Sequence, residues 1–412
     1  MPSDVRTVSA ADIFGAAFDI DPHPAFARLR ESGAVHRVEF NNGRSAWLVV
    51  GYDAARQAFL DPRLSSSTRV ADSAFQAMQQ SQGLLNIDDR LPILLYSDPP
   101  HHTRLRRIIT REFTTKRAEA LRPRVQSIAD GLIDALPVSG SVDLMEAYAY
   151  PLPSAVICEL LGVPHEDWKV FSNWFNVLIS PSVEANYGEM SHTLRETWAY
   201  FTELIGRHRQ NPGTDLLSAL VSARADDRLN DSELVAMALL LVVGGFETTA
   251  TLIGNGVLAL LRHPEQLAKL RADPALVPGA VEEMLRFGGP AKVFPPRYAR
   301  EETVIAGQPI VRGDQVFVLM ASANRDAGKY PDPDAFDVTR DASGHMAFGH
   351  GIHRCVGAPL ARIEAQIAIA ALLDRLGHAR LDVPVEDLVW REGLTVHGTV
   401  ALPIRFDAAP PA

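Results

Sequence analysis

The sequence predicts a mainly helical chain with small β-sheets, an α+β fold. Three observations carry this. From about Asp98 to Pro290 the residue pattern is helical almost without interruption. Two apolar runs of strand length, Ala34 to Phe40 and Ser45 to Val50, precede it, split by the turn signal Asn41-Asn42-Gly43. A second β region, Val304 to Met320, follows it, with Gly307 and Gly313 as turns. No linker, repeat or low-complexity run divides the 412 residues, so one domain over 1–412 is expected.

The longest apolar element lies in the helical region. Asn230-Asp231-Ser232-Glu233 is a capping signal, and Leu234 to Val243 is apolar on every face. A helix of that kind is buried all round. It is expected to run to about His263, where Pro264 stops it. Gly244-Gly245-Phe246-Glu247-Thr248-Thr249 sits at its middle. Glycine costs about 1 kcal/mol against Ala in a helix interior, and a carboxylate among apolar side chains costs more unless paired or hydrated. Two penalties in one place point to function, with small residues admitting a ligand to the helix axis. The structural alternative is a kink in which Glu247 binds an Arg. Further on, an irregular stretch, Ala321 to His345, leads to a glycine-rich segment and a helix opened by Pro359, with Leu360, Ile363, Ile367 and Ala371 on one face. The tail from Leu381 holds short strand-like pieces, including Val400 to Ile404.

Composition narrows the function classes. A net charge of −10 argues against nucleic acid as a partner. The chain has two cysteines, Cys158 and Cys355, which is no disulfide framework and fits a reducing compartment. Cys158 lies in an apolar run and reads as core. Met1 to Ala11 has no apolar centre, and Leu234 to Phe246 is shorter than the roughly 20 residues of a membrane span. A cytoplasmic chain without membrane anchor is expected.

Cys355 is different from Cys158. It stands in Phe348-Gly349-His350-Gly351-Ile352-His353-Arg354-Cys355-Val356-Gly357-Ala358-Pro359, just ahead of a helix start. Unpaired N–H groups there favour thiolate over thiol. Gly351 and Gly357 let backbone pass close to a flat ligand, and Phe348 offers an aromatic wall. This is what a thiolate-held haem iron needs. Zinc held by His350, His353 and Cys355 is an alternative, although no fourth ligand is near in sequence.

The segment resembles the haem-ligand signature of the cytochrome P450 family, F-x-x-G-x-[HR]-x-C-x-G, with every fixed position filled. The resemblance covers essentially the whole length. It implies haem b between the long central helix and the Cys-ligand loop, with Cys355 as axial thiolate and His353 as a propionate partner. Phe348 and Gly357 complete the loop. Gly244 to Thr248 resembles the family's A/G-G-x-D/E-T motif, which implies that Glu247 is the acid of a proton relay and Thr248 its hydroxyl; Phe246 departs from the small or polar residues usual there. Asp98 to Arg107 resembles D-P-P-x-H-x-x-x-R, implying that His102 and Arg106 reach one propionate, and Arg297 matches another such position. Glu283 and Arg286 fill an E-x-x-R motif whose third member is Arg325 or Arg340. The implied activity is that of a bacterial monooxygenase with electrons from NAD(P)H through a reductase and a ferredoxin, O2 as co-substrate, and a lipophilic small molecule as substrate. Similarity is closest to actinobacterial members acting on macrolides, polyketides or steroid-like molecules, a setting of secondary metabolism. Leu94, Val243, Phe246, Val293, Phe294 and Leu394 are the expected pocket walls. Arg104 to Arg124, with eight Arg or Lys against two Glu, is the expected docking face for an acidic ferredoxin, with Arg354 beside it. A haem carrier or sensor without catalysis, and a zinc hydrolase, remain as alternatives.

Overall fold

The computed structural model describes residues 7–40, 43–71, 93–178, 187–222 and 229–407. The central helix spans Asp231–Arg262, and its start is fixed as the sequence suggests. Asn230 Oδ1 accepts from Glu233 N–H at 2.9 Å and Glu233 Oε2 accepts from Asn230 N–H at 2.9 Å, closing a capping box. Helices Pro151–Leu161, Tyr187–Gln210, Val277–Gly288 and Ala358–Leu376 pack around it. Helix Thr115–Ala135 lies against the last of these. By length and composition the central helix could cross a membrane, a possibility its apolar run alone did not suggest. In this fold 76% of its most apolar window is buried by other helices, which makes it the core element of the molecule.

The largest sheet has six strands in the order Thr7–Ser9, Val35–Glu39, Ser45–Val49, Gln315–Val318, Arg297–Ala299 and Leu64–Ser65. Val35 pairs with Val49 and Glu39 with Ser45, which is the expected first hairpin; Asn41 and Asn42 of its turn lie outside the described residues. The second β region divides. Thr303–Ile305 and Gln308–Ile310 form their own hairpin around Ala306 and Gly307, both at positive φ, while Gln315–Val318 joins the large sheet. Met320, expected at the end of a strand, instead starts the short helix Met320–Ala323. The last strand, Pro403–Phe406, begins later than expected, and lies between Ala379–Leu381 and Gly140–Asp143. Strand Gln315–Val318 thus ties the N-terminal hairpin to the segment that precedes the Cys355 loop.

Candidate active site

The Cys355 loop is shaped by glycine. Gly349 and Gly351 have φ of 68° and 73°, which side-chain-bearing residues rarely adopt. A Cβ on Gly351 would also stand 2.8 Å from the Phe59 carbonyl oxygen, so the loop is seated against helix Tyr52–Leu60. Cys355 N–H donates to Phe348 O at 2.8 Å and Gly349 N–H to Met346 O at 2.8 Å. The next helix starts at Ala358, with Pro359 in its first turn. The N–H groups of Gly357 and Ala358 and the guanidinium groups of Arg106 and Arg354 all favour the thiolate, as expected. Burial nevertheless outweighs them and raises the thiol above its ordinary range. The helix start therefore does not make the thiolate unaided; a coordinated metal would, because coordination removes the thiol proton outright. Protein surrounds Cys355, yet the residue retains accessible surface, so its open side faces inward.

Four cationic or cationisable side chains gather beside it. The rings of His102 and His353 lie 4.3 Å apart. The charges of Arg106 and Arg297 reach both of them. Burial first, and then these neighbouring charges, lower His102 to about 4 and His353 to about 2. Burial also lowers Arg297 to about 10. Asp98, the nearby acid, is already engaged by Ser65, by Ser66 N–H at 3.0 Å and by Arg300 at 2.6 Å. His353 Nε2 meets Ser66 Oγ at 3.1 Å. By contrast, His102 Nε2 and Arg297 Nε and Nη2 are buried without a hydrogen-bond partner among the described residues. Buried unpaired donors of this kind are rare and costly. An anion with several oxygens satisfies them, and the two propionates of haem fit. The residues present thus suit haem: a single inward-facing thiol, and cationic donors left over beside it. Among the described residues no three of His, Cys, Asp or Glu converge to hold a metal ion, so the zinc alternative has no ligand set.

The two central glycines have separate reasons. A Cβ on Gly245 would press Ile157 at 3.0 Å, so this glycine lets helix Pro151–Leu161 approach. Among the described residues a Cβ on Gly244 meets nothing within 4 Å, so the helix is open to them on that side. Thr248 Oγ1 donates back to Gly244 O at 3.1 Å, Thr249 Oγ1 to Gly245 O at 3.3 Å and Thr251 Oγ1 to Glu247 O at 2.9 Å. Thr248 is half-buried and Glu247 fully buried. The Glu247 carboxylate is held by Arg391, which also donates to Tyr150 Oη. Burial, and then the Glu247 charge, raise the Tyr150 phenol. The structural alternative for Glu247, an Arg partner, is therefore present together with the open glycine. Sequence reasoning missed Arg391 and Tyr150. The only signal was the demand of a buried carboxylate for a cation, which does not select one of 40 Lys and Arg.

Glu283 and Arg286 are fully buried and pair at 2.6 Å. Arg286 also donates to the carbonyls of Asn324 at 3.1 Å, Pro333 at 2.7 Å and Ala335 at 3.1 Å. The third member is Arg340, with Nε 3.3 Å from Glu283 Oε1. Of the two candidates that the sequence left open, Arg325 is not in this group. It stacks on Phe287 at 4.0 Å, donates to Phe287 O at 2.7 Å and pairs with Asp334 at 3.1 Å, closing the end of the same helix. A second brace was not expected. Arg362 holds Glu282 through two bonds, at 2.7 and 2.8 Å, and lies 4.6 Å over the Phe348 ring; His345 meets Glu282 at 3.0 Å.

The expected pocket walls fall into three apolar clusters. Leu94 and Phe246 belong to the helical core, and the turn bearing Leu94 packs on the central helix. Phe246 is fully buried there. Val293 and Leu394 meet under the N-terminal strands. Phe294 lies against Phe59, with ring centroids 5.0 Å apart, and under Arg297 at 5.3 Å. The side chain of Val243 lies outside the described residues. The basic stretch is less bare than its sequence: Arg104 binds Glu233, Arg117 binds Glu112, and Arg122 and Arg124 bind Glu119 and Glu159 at 2.8 Å each.

Comparison with known proteins agrees with this geometry. The family model described as Cytochrome P450 matches residues 155–387. The cytochrome P450 monooxygenase PikC of Streptomyces venezuelae is 47% identical, over 95% of this chain and 92% of its own. The vitamin D(3) 25-hydroxylase of Pseudonocardia autotrophica is 44% identical, over 95% and 96%. The tirandamycin C-bound structure of the P450 monooxygenase TamI superposes with a TM-score of 0.88 at 42% identity, over 97% of this chain and 100% of that one. The inward-facing thiol, the unpaired cationic donors and these full-length likenesses converge: the chain belongs to the cytochrome P450 family and is a haem-thiolate monooxygenase.

Proposed function

We propose that this enzyme inserts one oxygen atom of O2 into a C–H bond of a bulky lipophilic molecule, of macrolide, polyketide or steroid-like class, within secondary metabolism. One relative is named for 25-hydroxylation of vitamin D(3), and one similar structure holds tirandamycin C. The apolar character of Leu94, Val293, Phe294 and Leu394 supports such a ligand. The observation that carries the reading is the joint arrangement of one inward thiol and three buried donor nitrogens without partners. Electrons come from NAD(P)H through a ferredoxin reductase and a ferredoxin, in the cytoplasm, and residues 1–412 act as one domain.

Cys355 would hold the haem iron, while His102, Arg106, Arg297 and His353 would hold its propionates and Phe348 and Gly357 would shape the loop. The bound haem supplies dioxygen activation, with thiolate donation favouring O–O cleavage. The protein supplies protons and position. Thr248, half-buried beside the open side of Gly244, offers its hydroxyl as donor and acceptor. Glu247 is its acid. Because Arg391 and Tyr150 hold that carboxylate, Glu247 must release Arg391 before it takes up and passes a proton. The braces on Glu283 and Glu282 keep the loop from shifting.

A screen of macrolactones, other polyketides and sterols, read by the haem absorption shift, tests the substrate class. Hits should then give a product heavier by one oxygen when NADPH, ferredoxin and reductase are present. Absence of any shift across the panel overturns the substrate class.

A further inference from the structure

Lys292 is an unusual core residue. Its side chain has no exposure, and burial lowers its ammonium to about 8. It is therefore placed at a cost to stability. Among the described residues it has one charged partner: its Nζ lies 3.4 Å from Asp19 Oδ1 and 4.1 Å over the Phe18 ring, both on helix Ala16–Ile20. The same Asp19 oxygen accepts from Gly393 N–H at 3.2 Å, where Gly393 has φ of 130°. Lys292 N–H donates to Thr395 O at 2.8 Å, and His397 N–H to Pro290 O at 2.7 Å. His397 Nε2 meets Ile20 O at 3.1 Å. Three separated pieces of chain are thus knotted at one carboxylate: the helix at 16–20, the segment at 290–294 and the loop at 393–397. The other titratable or charged groups facing this knot are His397, whose imidazole is kept neutral by burial and by the Lys292 charge, His23, buried and kept neutral in turn, and the guanidinium groups of Arg325, Arg286 and Arg30, whose charges reach one or both histidines.

We propose that the Asp19–Lys292 pair is a positioning device for substrate recognition, which sets where Val293, Phe294 and Leu394 stand by clamping their two segments to the N-terminal helix. This rests on reading those three residues as walls of the substrate site. Lys292 precedes Val293 and Phe294 directly, and Gly393 precedes Leu394, so each wall hangs from a clamped residue. A buried ion pair adds little stability against an apolar pair of similar volume; in some proteins its role is to fix register. The clamp exists while Lys292 is charged and loosens above about pH 8.

Two iron-binding azoles of different size test this without knowledge of the substrate: imidazole, which needs little room, and 4-phenylimidazole, which must pass the walls. The proteins are the haem-loaded parent, Lys292→Met, Asp19→Asn and Lys292→Arg. The expected result is a change of about fivefold or more in the Kd of 4-phenylimidazole in Lys292→Met and Asp19→Asn, with imidazole within about twofold and partial rescue in Lys292→Arg. In the parent the 4-phenylimidazole Kd should drift from about pH 7 to about pH 9.5, and in Lys292→Met it should be flat. Should Lys292→Met fail to load haem, Asp19→Asn carries the same comparison. Equal shifts for both azoles, or a pH drift that survives Lys292→Met, overturn the proposal. If macrolactones, polyketides and sterols all fail to bind while the azoles follow the expected pattern, the clamp stands and the substrate class falls.

Discussion

Two buried charge clusters flank the Cys355 loop, and they differ in one respect. Around Glu283 every oxygen and nitrogen is answered within the chain, by Arg286, Arg340, Asp337 N–H and three carbonyls. Around Arg297 the answering is incomplete, since two of its nitrogens and His102 Nε2 have no partner. The first cluster is finished by folding. The second is finished only by something the chain binds. Net charge or burial alone does not separate them; hydrogen-bond satisfaction does. Glu247 lies between the extremes, closed by Arg391 in a helix that is open to the described residues at Gly244.

The largest effect that would test this contrast is at Glu283. Glu283→Gln leaves Arg286 and Arg340 buried without a carboxylate, a loss of about 3–5 kcal/mol, comparable with the whole stability of many domains. Little folded, haem-loaded protein should accumulate, read by the carbon monoxide difference spectrum per mole of chain. At Arg297 the two readouts should part. Arg297→Leu should leave the melting temperature of haem-free protein unchanged or higher, because an unpaired buried charge is removed, while haem leaves about tenfold faster. A fall in the haem-free melting temperature with unchanged haem release would place Arg297 in the self-satisfied class. Thr248→Ala should keep NADPH consumption within about threefold of the parent but turn more of it into hydrogen peroxide, because one hydroxyl of the proton path is lost. Unchanged coupling would show the path runs elsewhere. The last test is of pH dependence. His102 and His353 are lowered to about 4 and about 2, so below the ordinary histidine value of 6.5 the unfolded chain binds more protons than the folded one. Haem-free protein should therefore lose stability as pH falls from about 6.5 toward 4, and His102→Gln should flatten that slope, as followed by urea midpoints.

The parts legible in sequence are those set by local chemistry. The capping box at Asn230 and Glu233 and the Pro359 helix start each depend on residues a few positions apart. What the sequence left open depends on long-range choice among equivalent side chains. Arg340 rather than Arg325 meets Glu283, because Arg325 is already satisfied by Phe287 and Asp334. Arg391 meets Glu247, and Lys292 meets Asp19, across distances in the chain that no periodicity reports. Burial outweighing the helix start at Cys355 was likewise invisible, since it is a property of the packed surroundings.

The unlike environments of Gly244 and Gly245 give the molecule an adjustable part. A methyl group at 245 would collide with Ile157 and push a neighbouring helix away, whereas one at 244 would meet no atom of the described residues within 4 Å. Position 244 is thus a dial: the space beside it can be trimmed by a single carbon while the described scaffold stays put.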